Sequence, residues 1–120
     1  MQLPTLKDDL STFASFVDSG ALYSDFIAQL NRDISRAGVA LHVSDFPVLS
    51  LNEVVTEIEL ALQLSIQKSH LSIQQLLYVI DIDENQSKQL SMTADDPVQA
   101  IALLIVKRIL QKVITRKLYR

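Results

Sequence analysis

Cysteine is absent from the 120 residues, and with it any disulfide framework, thiolate metal site or thiol nucleophile. Tryptophan is absent as well, and glycine occurs only twice and proline three times. An all-β fold normally requires more of these turn residues, so their scarcity favours helices. Two histidines, His42 and His70, leave little scope for metal chemistry. The longest apolar run, residues 100–106, is stopped by Lys107 and Arg108. That is far short of the roughly 20 residues a bilayer requires, so no membrane span is expected. The N-terminus lacks a basic start followed by an apolar stretch, which predicts no cleavable signal and a cytoplasmic location. Beyond Asp96 there is no acidic residue at all.

What is present is an ordinary globular composition, 48% hydrophobic and 21% charged. At 13.5 kDa about two-thirds of the unfolded chain's surface can be buried, enough for a core without staples. There is no internal repeat, low-complexity tract or linker, so a single helical domain over 1–120 is expected.

The apolar periodicity predicts an all-α bundle of four to five helices. Leu6, Leu10, Phe13 and Val17 recur at helical spacing after a capping Thr5, and Gly20 separates them from a second stripe of Leu22, Phe26, Ile27, Leu30 and Ile34 that stops at Gly38. So short a joint predicts an antiparallel hairpin. Over 39–50 the helical period is lost and Pro47 forbids a helix across it, which predicts an irregular, extended connection. Ser50 and Glu53 form a capping box, opening a helix whose stripe (Leu51, Val54, Val55, Ile58, Ala61, Leu62, Ile66) is widened by Leu60 and Leu64. Such width predicts a central helix. Residues 73–82 read as helix or as a buried strand. Helix is favoured because no second strong strand is on offer, and Ser72 is placed to cap it. Asp95-Asp96-Pro97 starts a long C-terminal helix that nothing interrupts through Arg120.

Charge is segregated along the chain. Residues 1–96 hold 14 acids against 5 bases, a net of −9, while residues 97–120 hold 6 bases and no acid, a net of +6. The C-terminal helix is apolar on every side over 100–106 and then keeps a stripe through Ile109, Leu110, Val113 and Ile114. Two placements fit that pattern, a core helix or a surface that docks a partner or a second copy. The docking reading predicts partner-binding residues Ile105, Ile109 and Val113, steered by Lys112, Arg116, Lys117 and Arg120. The bland reading of the bases is that they pair with the acidic body or favour the helix's negative end.

Catalytic patterns are thin. No G-x-S-x-G elbow, Glu-x-x-His motif or phosphate-binding glycine loop occurs. Asp81-Ile82-Asp83-Glu84-Asn85 opens like a calcium loop but has Gln86 and Met92 where glycine and a bidentate glutamate are required. An enzyme would have to assemble Glu53, Glu57, His42 or Asp81 between helices. These observations predict a small non-catalytic helical module for protein–protein interaction, an adaptor, assembly or regulatory subunit without cofactor or metal, acting through its C-terminal helix and forming a homodimer. The alternative is a nucleic-acid-binding protein using the same basic helix, disfavoured by a whole-chain net charge of −3 and a pI of 5.2.

Overall fold

A computed structural model describes residues 3–17, 20–44, 46–69, 73–83, 85 and 96–118. Among these the chain forms five helices and no strand: α1 Leu10–Ala14, α2 Gly20–Arg36, α3 Leu51–Ser69, α4 Ile73–Ile80 and α5 Pro97–Leu118. One cluster of buried side chains draws on all five. The predicted all-α bundle with a long last helix and an irregular 39–50 connection is the observed architecture. The doubtful 73–80 segment is helix.

Local chemistry sets most of the helix ends. At α3 the Ser50 Oγ accepts from the Glu53 N–H at 3.1 Å and the Glu53 carboxylate accepts from the Ser50 N–H at 3.0 Å, closing the capping box. At α5 the Asp96 carboxylate accepts from the Gln99 N–H at 3.2 Å, with Pro97 as the first helical residue. α2 ends in a Schellman motif: Val39 N–H reaches back to the Ile34 carbonyl (3.2 Å) and Gly38 N–H to Ser35 (3.0 Å), while Gly38 takes φ +86°. α4 ends the same way, Ile82 on Leu77 (2.8 Å) and Asp81 on Tyr78 (3.1 Å), but the left-handed position is filled by Asp81 at φ +68°. A non-glycine residue there costs about 1–2 kcal/mol, least for Asp and Asn. Arg108 of α5 grips that turn, its Nε donating to the Asp81 carbonyl and Nη2 to the Asp81 carboxylate, both at 3.0 Å.

The N-terminal hairpin is not as the periodicity suggested. The Asp8 carboxylate captures the Thr5 N–H at 2.7 Å, and Asp9 is extended (φ −67°, ψ 155°), so residues 5–8 form a turn and α1 keeps only five residues. Gly20, expected as a break, begins α2. α1 packs on α5 rather than lying antiparallel on α2. Its stripe is nonetheless the buried side, with Phe13 enclosed and Leu6, Leu10 and Val17 packed against the core.

The central helix is α5, not α3. α5 packs against each of the other four helices. Its 22 residues span about 33 Å at 1.5 Å per residue, nearly the 37 Å length of the molecule, so it crosses the whole body rather than projecting from it. α3 lies at the surface, and Leu60, Leu64 and the edge residue Ile66 stay exposed. The 39–50 connection is pinned to α2 by Asn31, whose Nδ2 donates to the Val43 carbonyl and whose Oδ1 accepts from the Val43 N–H, both at 2.8 Å. The Tyr23 hydroxyl accepts from the Leu49 N–H at 2.9 Å and fixes its far end.

Candidate functional site

The apolar residues expected to meet a partner are core residues. Ile105 and Ile109 are fully buried and Val113 is 1% exposed, with Leu110 and Ile114 enclosed beside them. The reason is the topology: four helices surround α5, so a helix apolar on most sides is covered by its own chain. Ile105, Ile109 and Val113 therefore present no surface to a second molecule in this fold, and the docking placement predicted for them is corrected to a core placement.

The basic residues divide. Lys112 Nζ lies 3.3 Å from the buried Asp33 carboxylate, which also accepts from Gln29 Nε2 at 2.9 Å and has Arg36 Nη1 at 4.0 Å. Arg108 is taken by Asp81. Lys107 is half-buried, its Nζ 3.5 Å from the Leu6 carbonyl. Loss of water pushes the Lys107 ammonium below its usual 10.5, against the opposing pull of Asp9 and Asp8. Arg116 and Lys117 are exposed at the end of α5, and Arg120 lies outside the described residues. The +6 segment is thus used partly inside the molecule, where α5 bases meet acids from α2 and from the end of α4. That leaves α5 two exposed, described bases for phosphate contact, a small footprint for a nucleic-acid-binding helix.

The residues that an enzyme would need are not brought to one place. Glu57 and His42 share a cleft of about 180 Å³ with Ser44, Phe46 and Pro47. Asp81 lines a different one, about 470 Å³, with Thr5, Asp83, Arg108 and Gln111. Glu53 belongs to the α3 cap, while Asp45, three residues from His42 in sequence, and also His70 and Ser72, fall outside the described residues. No group of three or more His, Asp or Glu among the described residues has the spacing to hold a metal ion. No helix among them is long and apolar enough to cross a membrane. A third cleft, about 420 Å³, runs between α1 and the start of α3, lined by Leu10, Val17, Tyr23, Val48 and Leu51 among others.

One acid stands out. Glu59, half-buried on the edge of α3, has its carboxyl raised above the ordinary 4.5, chiefly by loss of water and then by the charge and hydrogen bonding of Asp96. Because the folded value is the higher one, the fold binds this proton more tightly than the unfolded chain does. Its unfavourable contribution is absent below pH 4.5 and grows as pH rises through the raised value. Glu59→Gln is accordingly expected to raise the melting temperature at pH 7, with the gain shrinking towards pH 4. Thermal unfolding followed by circular dichroism at both pH values checks it, and a gain that persists unchanged at pH 4 would contradict the assigned cause.

A further surface feature is the outer side of α3. Residues 53, 57, 60 and 64 succeed one another at spacings of four, three and four, which sets Glu53, Glu57, Leu60 and Leu64 in one stripe along the helix. Leu60 and Leu64 are each 53% exposed, whereas most other α3 leucines, isoleucines and valines are buried. No protein family model, curated protein or solved structure matches this chain. Sequence reasoning assigned Leu60 and Leu64 to the core, and the signal against that was available: they fall on the Glu53–Glu57 side of the helix, away from Val54, Ile58 and Leu62.

Proposed function

We propose that this chain is a small non-catalytic helical module for protein–protein interaction, and that its docking face is the outer side of α3 rather than α5. The observation that supports this reading is the pair Leu60 and Leu64, each 53% exposed and one helical turn apart on α3; among the described residues Val48, Ile66 and Leu118 are the other exposed large aliphatic side chains. Burying a leucine is worth about 1.5–3 kcal/mol. Two of them at i and i+4 are the anchors by which a helix face meets a groove or another helix. Glu53 and Glu57 continue the stripe and supply a charged rim, the arrangement that gives an apolar contact its register and its selectivity.

The test is site-directed photocrosslinking. A photoreactive residue at position 60, in the full chain expressed in its own cells, is expected to give discrete adducts. The same residue at the exposed Asp25 of α2 should give none, and Leu64→Ser should suppress the position-60 adducts while leaving the circular dichroism unchanged. Equal adduct patterns at positions 60 and 25 would count against the reading.

A further inference from the structure

The α3 stripe also specifies the charge of what it meets. Of the net −9 carried by residues 1–96, Asp33 and Asp81 are answered by Lys112 and Arg108. Glu53 and Glu57 are exposed and have no ion-pair partner among the described residues. Glu57 moreover lines the 180 Å³ cleft together with His42 and with Phe46, an aromatic ring 81% exposed. A carboxylate and an aromatic side chain lining one narrow opening suit a cation, which gains an ion pair from one and a cation–π contact from the other. From Glu57 the stripe runs on to Leu60, about 4.5 Å along the helix axis, and to Leu64, about 10 Å along it, at 1.5 Å per residue.

Resting on the reading of α3 as a docking face, we propose that its occupant is an amphipathic helix with basic residues beside its apolar stripe, one lysine or arginine of which enters the cleft between Phe46 and Glu57. Charge complementarity selects this occupant over an acidic or neutral helix. It also selects against a second copy of the chain. The chain's own basic helix is α5, whose apolar stripe is enclosed in the core, and α3 against α3 would set acidic faces together. The basic helix comes from a different protein. Its apolar residues four apart cover Leu60 and Leu64, and its cation sits one turn further along.

The probe is a pair of fluorescently labelled synthetic peptides with the same leucine stripe, one with lysine and one with glutamate at every other position. They are titrated with the full chain by anisotropy at low and at physiological salt. The leucine–lysine peptide is expected to bind about tenfold or more tighter than the leucine–glutamate peptide. Leu60→Ser with Leu64→Ser should weaken it about tenfold or more. Phe46→Ala should weaken it about two- to fivefold, and Glu57→Gln should weaken it by an amount that fades as salt is added. All four substitutions are at exposed positions, so unchanged circular dichroism is the control for folding. Equal binding of the two peptides, lost on leucine substitution, would overturn the basic partner and leave the docking face standing. Binding of the lysine peptide that ignores the leucine substitutions would overturn both. A solution mass of twice 13.5 kDa that falls to one chain on leucine substitution would make the occupant a second copy, and would overturn the proposal.

Discussion

Ile109→Glu is expected to yield a chain that does not fold, not a folded protein released from a partner. Ile109 is fully buried on the helix that all the others pack against. A carboxylate there has neither water nor a partner, and burying an unpaired charge costs far more than burying a neutral polar group. Even the mild change Ile109→Ala removes a buried branched side chain and leaves a cavity, at a cost of about 2–5 kcal/mol. Domains of this size have only about 5–15 kcal/mol of stability in total. Urea unfolding of the alanine variant should show a midpoint well below wild type with an unchanged slope, and the glutamate variant should show no cooperative transition. A glutamate variant with native ellipticity and a single-chain mass would mean that α5 is an interface helix after all.

Lys112→Met should cost about 2–3 kcal/mol, large for a residue that keeps part of its surface in water. The methionine preserves the aliphatic stem, so the loss is that of the ammonium 3.3 Å from Asp33. Asp33 is 1% exposed. Removing its cation leaves a buried carboxylate with Gln29 as its close donor and Arg36 at 4.0 Å, and hydrogen bonds to charged groups contribute about 1.5–3 kcal/mol each. Asp33→Asn removes the charge instead of its partner, and the double variant should be less destabilised than the sum of the two single changes, by about 1 kcal/mol or more. Chemical denaturation of the four proteins completes the cycle. Strict additivity would show that the pair contributes nothing specific.

Three of the local readings agree with the structure. The capping box at Ser50 and Glu53, the glycine stop at Gly38 and the Asp96-Pro97 start are each decided by groups within five residues of one another, and each is found as expected. Most of the departures have causes outside the local sequence. Leu6 has the period of a helix residue, but Asp8 folds back on Thr5 and the N-terminal segment lies along α5 instead, held there by Lys107 and Gln111. The choice of central helix depended on which apolar faces find partners. Leu60 and Leu64 widened the α3 stripe on paper, whereas the uniformly apolar turn at Ile101–Val106 had no exposed side to offer and took the middle. For the same reason Ile105, Ile109 and Val113, candidates for a partner surface on their pattern alone, are core. Lys112, expected to steer a partner, neutralises Asp33. At Asp81 the run 81–85 opens like a calcium loop without completing one, and the backbone shows the left-handed end of a helix, held by an arginine 27 residues on.

The order of the helices along the chain bears on how the protein is made. Synthesis runs from α1 to α5, yet α5 is the helix on which the other four converge. While a ribosome is still adding residues before Pro97, the faces of α1 to α4 that will meet α5 have nothing to close against. Contacts such as Gln111 with the Pro4 carbonyl must wait until more than a hundred residues have emerged. Closure of this bundle therefore waits for α5, and the apolar faces of the first four helices stay open to chaperones or to aggregation until α5 has emerged.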